Sequence, residues 1–333
     1  MHILNKTNFD FMRWRWHAVI LSWVVILAGL AVIMTRGLPR GIEFAGGTSV
    51  IMQFDQMPSD DGVRAALRSL PGGVGQDAIV QTYGDPAQRQ IMVRVPQSGA
   101  EAGASLSSAA AAVTTAISSG NLGRFTVIGT EIVGPSVGRE LTAKGLSATV
   151  LSLIGILAYI ALRYQLSFAV GAVVATVHDL LITFALLAFF HYDLTLNVIA
   201  AILTVTGYST NDTIVIFDRV RENLRGNRRD SLISVINASI NQTLGRTLLT
   251  GGLTLLSVIA LFFFGGDVLQ GFAFTMIVGV ITGTYSSVFV AAAVVAFWGN
   301  AGSAKLVAQA PEGATLSTAG GQQPTRKAKG RRS

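Results

Sequence analysis

Six apolar runs decide what this chain can fold into. They cover residues 18–35, 146–162, 166–190, 194–217, 247–264 and 268–297. Crossing a bilayer core of about 30 Å takes roughly 20 mostly apolar helical residues. Five of the runs reach or approach that length unaided; the second is short and is extended by the polar-tolerant stretch 142–145. Composition agrees. Half of the 333 residues are hydrophobic and 13% are charged, about half the charged share of a soluble domain, and mean hydropathy is +0.53. The reading is an α-helical membrane protein with six transmembrane helices. The first run has the basic flank of a secretory signal, Arg13 and Arg15, but it is long for one and no small-residue cleavage site follows. It is expected to stay as a signal anchor.

Short loops orient a membrane chain by their Lys and Arg content. Basic residues gather before the first run (Lys6, Arg13, Arg15), after the second (Arg163), after the fourth (Arg219, Arg221, Arg225, Arg228, Arg229) and in the tail (Arg326, Lys327, Lys329, Arg331, Arg332). The short loops 191–193 and 265–267 carry none. Both termini are therefore expected on the cytoplasmic side. The segments are 1–17 as a cytoplasmic N-terminus, 18–35 as the first span, 36–143 as an extracytoplasmic domain, 144–298 as spans two to six, and 299–333 as a basic, disordered cytoplasmic tail. Within the fourth segment, 218–243 reads as an amphipathic helix on the cytoplasmic membrane surface. The surplus of 25 basic over 18 acidic residues sits largely in the tail. That favours anionic lipid over nucleic acid as its partner.

Residues 48–55, 77–83, 90–95 and 124–132 have strand character, and 60–70 and 100–118 read as helices. Gly84-Asp85-Pro86 supplies a turn between the middle strands. The order β-α-β-β-α-β predicts a small α+β, ferredoxin-like domain between spans one and two. It shows no nucleophile–base pair or metal cluster, so binding or positioning fits it better than catalysis. An open sheet edge of this kind can take an extended peptide by strand addition. The chain has no cysteine, its four histidines are scattered, and it lacks a phosphate-binding GxxxxGK[ST] loop. No enzyme activity, cofactor or metal is expected.

The informative residues are the polar ones inside the spans. An ionisable group in hydrocarbon is costly and points to function. Asp212 lies five residues before the cytoplasmic end of the fourth run, roughly 8 Å inside at 1.5 Å per residue. Asn211 beside it points about 100° away. Gly207, one turn earlier, would let another helix approach. Loss of water opposes a charge on Asp212 and a nearby cation supports it. Arg246, entering the fifth run from the same side, is the candidate cation. Asp179, next to His178, is a second carboxylate halfway along the third run. Blander readings stand beside these: Asp212 solvated at the interface, Arg246 snorkelling to lipid phosphate, Asp179 as a helix–helix hydrogen bonder. Gly279 and Gly283 form a GxxxG packing pattern in the sixth run.

Five segments carry a family resemblance: GIEFAGGT (41–48), EIVGPSVGRELTAKG (131–145), VHDLLIT (177–183), GYSTNDTIVIFDRVREN (207–223) and NQTLGRT (241–247). With them the chain resembles the SecF members of the SecD/SecF protein-export family, in the resistance-nodulation-division superfamily, over roughly residues 15–298. The resemblance implies six spans with a ferredoxin-like external domain, and a six-span SecD-like partner packed with approximate twofold symmetry. It also implies assistance to late preprotein translocation through the SecYEG channel, driven by the proton-motive force. The family's proton-transport aspartate and arginine fall on Asp212 and Arg246. Gly46 and Gly47 match its glycine pair, and Glu43 stands where the family commonly has Asp, keeping the charge. Two other readings are weighed against this one: half of a small-molecule or lipid exporter of the same superfamily, and a non-conducting structural subunit.

Overall fold

The computed structural model describes residues 7–300 except 69, 71–74, 76, 77, 85, 97–103, 165 and 227–229. The turn residue Asp85, the loop residues Arg228 and Arg229, and the basic tail from 301 onward lie outside the described residues.

Helix α1 (Phe11–Arg36) opens on Asp10, whose side chain accepts the Arg13 N–H, and stops at Gly37. It starts well before the apolar run, because a helix start is set by its cap and not by its first apolar residue. A short helix α2 (Ile42–Ala45) follows. Then come β1 (Gly47–Phe54), α3 (Asp60–Arg68), β2 (Ile79–Tyr83), β3 (Gln90–Pro96), α4 (Ala104–Ser119) and β4 (Phe125–Val133). The sheet order is β2-β3-β1-β4, and every neighbouring pair is antiparallel. Alternation sends Val50, Met52 and Phe54 of β1 and Ile91 and Val93 of β3 to one face, where they pack on Val63 and Leu67 of α3 and Val113 and Ile117 of α4.

The long helices come next: α5 (Pro135–Arg163), α6 (Leu166–Phe189), α7 (Leu196–Gly226) and α8 (Leu232–Phe264). The last run divides into α9 (Asp267–Ser286), a π-helical turn (Ser287–Ala291) and α10 (Ala292–Asn300). Among the described residues, five helical stretches are long and apolar enough to cross a membrane: α1, α5, α6, α8 and the unit Val268–Trp298. Helix α6 and that last unit are mostly buried, whereas α1, α5 and α8 turn apolar side chains outward. Helix α7 is too polar to join the five by composition; it lies in the centre, against α6, α8 and α9.

Two boundaries differ from the sequence reading. Helix α5 begins at Pro135, because proline at the first helical position is already shaped for a helix; the helix that carries the second apolar run therefore starts before 143. The segment 218–243 is not a separate helix. Its first part continues α7 to Gly226, and its second part, capped by Ser231, is the start of α8. The apolar positions Val220, Ile236 and Ile240 pack into the core shared with Phe168 and Phe217, and Asn223 donates to Ser239 and Gln242 at 2.9 Å. An apolar stripe buries against a partner helix as readily as against lipid, and periodicity alone does not tell the two apart.

Candidate functional site

Gly46 and Gly47 join the domain to the bundle. Both have positive φ, +73° and +131°, which glycine adopts without steric cost. A side chain on Gly47 would run into the Val95 carbonyl. The turn places Glu43 of α2 against the start of α7, where the Leu196 N–H donates to its carboxylate. Burial pushes the Glu43 carboxyl above its ordinary range, and the nearby Glu131 carboxylate pushes the same way; the Leu196 bond offsets part of this. Parallel backbone bonds, Gly41 N–H to Leu194 O and Leu194 N–H to Pro39 O, both 2.8 Å, tie the same strap to the α6–α7 loop. Arg94 of β3 forms an ion pair with Asp193 of that loop, both side chains mostly buried. Gln81 also donates to Asp193, at 3.4 Å. A cavity of about 250 Å³ lies beside this joint, lined by Glu43, Glu131, Arg94 and Asp193 among others.

The second site is in the bundle. Asp212 is 7% exposed. Its Oδ1 accepts from Thr247 Oγ1 of α8 and its Oδ2 from Ser287 Oγ at the π-helical turn, both at 2.7 Å. Asp179 of α6 is 1% exposed. Its Oδ2 accepts from Ser209 Oγ of α7 at 2.6 Å and from Ser286 Oγ of α9 at 2.8 Å. Its Oδ1 lies 3.0 Å from Nδ1 of His178. Four hydroxyls thus hold two carboxylates, and Ser286 and Ser287 are adjacent in sequence. The helices can come this close because of the glycines of α9: a Cβ on Gly279 would strike Val205, and one on Gly283 would lie 2.9 Å from the Ser209 Cβ. The GxxxG pattern is a packing device between α9 and α7.

The remaining predicted residues face elsewhere. Asn211 is exposed, about 100° round α7 from the buried Asp212. Gly207 is exposed too, and a Cβ added to it would meet nothing within 4 Å. Among the described residues no other helix of this chain approaches it. Arg246 is exposed and precedes Thr247, the residue that bonds Asp212. Among the described residues no ion pair joins Arg246 to Asp212, nor any Lys or Arg to Asp179. The hydroxyl partners Thr247, Ser286 and Ser287 escaped the sequence reading. Serine and threonine are common in spans, and only the Ser-Ser pair inside an apolar run hinted at a role.

Two family models match this chain. One, described as protein export membrane protein SecD/SecF, C-terminal, covers residues 113–301, and one described as the SecD/SecF GG motif covers 31–56. Among similar proteins is the protein translocase subunit SecF of Desulfurispirillum indicum, 44% identical over 291 residues, spanning 86% of this chain and 91% of that protein. The protein translocase subunit SecF of Escherichia coli O157:H7 is 37% identical over 289 residues, 87% of each chain. Among solved structures, SecDF of Thermus thermophilus, described as a translocon-associated membrane protein, superposes with a TM-score of 0.78 at 32% identity. The match covers 89% of this chain and 39% of that one, so this chain corresponds to well under half of the SecDF polypeptide.

Proposed function

The chain belongs to the SecD/SecF family of protein-export membrane proteins, and from that premise we propose that it is the SecF-type subunit of a protein translocase that uses the proton-motive force in late steps of preprotein translocation. The carrying observation is Asp212: a carboxylate buried at the centre of the bundle, held by two hydroxyls from two other helices. Asp212 takes up and releases a proton. With a proton it no longer needs Thr247 and Ser287 as donors, and the contact of α7 with α8 and the π-helical turn relaxes. The strap at Glu43 and the Arg94–Asp193 pair carry that movement from α7 to the external domain, which pulls or holds emerging polypeptide. A membrane potential supplies about 2.3 kcal/mol per charge per 100 mV.

In this reading the chain has six spans, α7 being the sixth, with both termini cytoplasmic and a ferredoxin-like domain outside. The described strand order and the central position of α7 support that arrangement. Gly207, Asn211 and Arg246 form a polar face open on α7 and α8, and polar groups on a span avoid lipid. That face seats a SecD-like subunit, across which Arg246 comes within reach of the partner's charges as well as of Asp212. The SecYEG channel, the preprotein and anionic lipid at the basic tail complete the set of partners.

The test is Asp212→Asn in the full chain with its partner. The expected result is normal insertion and co-purification, with loss of the gradient-dependent part of secretion. Unchanged gradient dependence would move the non-conducting structural reading to first place.

A further inference from the structure

The histidine beside Asp179 has no part in the Asp212 cycle. His178 is 8% exposed in the centre of α6, and its Nε2 is buried with no hydrogen-bond partner among the described residues. A buried polar atom left unpaired is costly and calls for a reason. We infer that His178 and Asp179 form a second proton-binding site, in which Nε2 of His178 accepts the proton and the Ser286–Ser287 step links its occupancy to Asp212. This rests on the proton-driven reading above and extends it to a residue that reading does not use.

Asp179 sets the protonation of its neighbour. Both its hydroxyl partners can donate, and a charged carboxylate only accepts, so Ser209 and Ser286 suit the ionised form. With Asp179 ionised, Nδ1 of His178 carries the hydrogen that lies between them at 3.0 Å. In the neutral imidazole this leaves a lone pair on Nε2, the atom without a partner. A buried carboxylate with no cation is expensive, and no Lys or Arg pairs with Asp179 among the described residues. Protonating His178 supplies the missing positive charge. In that step the Nε2 lone pair takes a proton from a hydronium ion: one N–H bond forms, one O–H bond breaks and water remains. The reverse step returns the proton to water.

The surroundings hold few competing charges. On α9, Tyr285 stacks on the imidazole with ring centroids 6.1 Å apart, and its hydroxyl donates to the Ala18 carbonyl of α1 at 2.5 Å. From α1, Ser22 adds a hydroxyl 3.2 Å from that of Tyr285. On α7 the neighbour is Ser209; Asp212 lies further off and is bonded to Ser287, the residue after Ser286. Ser286 and Ser287 each have a second acceptor in their own helix, Gly283 O at 3.2 Å and Thr284 O at 3.0 Å. Each hydroxyl therefore has somewhere to turn when its carboxylate changes state. They sit where α9 passes into the π-helical turn, a geometry frequent at functional sites. A shift of one serine moves its neighbour, and so one carboxylate senses the other.

The experiment is nitrogen-15 NMR of histidine side chains in the full chain co-purified with its partner in lipid nanodiscs. His2, His17 and His191 are replaced by Gln to leave one signal. The expected result is that the His178 imidazole passes from neutral to charged on acidification, and that the transition moves in D212N and in S287A. A signal that stays neutral with one fixed tautomer, in wild type and in both variants, overturns the inference. So does a titration that neither variant moves, since the link to Asp212 is then absent. His178→Asn keeps a donor for Asp179 but takes no proton; it is expected to assemble and to lose gradient-dependent secretion. Failure of this inference is separable from failure of the proton-driven reading, because D212N secretion tests the latter without reference to His178.

Discussion

Single side chains here work by what they are denied. Asp212 and Asp179 are each held by two hydroxyl donors, and among the described residues neither forms an ion pair with a Lys or Arg. Glu43 is the corresponding residue at the domain joint. Its carboxyl is raised by burial and then by Glu131. For a raised carboxyl, the ionised form costs the folded state. The stability tied to this group is therefore full below the ordinary value of 4.5 and is lost as pH rises through the raised one. Glu43→Gln removes that dependence. Its thermal midpoint should match or exceed wild type at neutral pH, with the gap closing as pH falls towards 4.5. Parallel pH curves for the two proteins would show that Glu43 is not under this strain.

At the scale of elements, α9 against α7 is the contact that brings the serines to the carboxylates. Gly279 and Gly283 meet Val205 and Ser209 there, whereas a Cβ on Gly207 would meet nothing within 4 Å among the described residues. Gly279→Leu should destabilise the bundle by about 1–3 kcal/mol, the usual cost of overpacking, read as a lower melting temperature in detergent. Gly207→Leu should leave that temperature close to wild type and instead cut co-purification of the SecD-like partner. Equal behaviour of the two variants would remove Gly207 from the partner face. The helix continuations past 218 follow the same logic: α7 and α8 bury their apolar stripes in one shared core.

For the whole molecule, the question is how a bundle and a domain move together. The connection runs through the strap at residues 39–47 and the Arg94–Asp193 pair, both meeting the loop that begins α7. Removing one partner of a buried pair leaves the other charge uncompensated, at a cost of about 3–5 kcal/mol. Arg94→Ala should therefore loosen the domain from the bundle. Hydrogen exchange should quicken in β3 and in the α6–α7 loop, while the core of the bundle stays protected. Arg94→Asp combined with Asp193→Arg should restore part of the protection. Unchanged exchange in Arg94→Ala would mean that the strap alone holds the joint.

Much of this was readable in the chain itself. Run length locates the long helices, since hydrocarbon imposes one requirement on every residue crossing it. Strand alternation and turn residues similarly mark the α and β elements of the domain. The expense of a carboxylate inside an apolar run marks Asp212 and Asp179 as residues to look at, and both are buried in the structure. What the tertiary structure decided was pairing. Arg246 and Asn211 are close to Asp212 in sequence or in depth, yet they face outward, while Thr247 and Ser287 reach it from helices far along the chain. Which face of a helix meets which neighbour depends on small residues, such as Gly279 and Gly283, and on side-chain volumes summed over several helices. A period of 3.6 residues defines the faces of one helix; only packing in three dimensions assigns each face its partner.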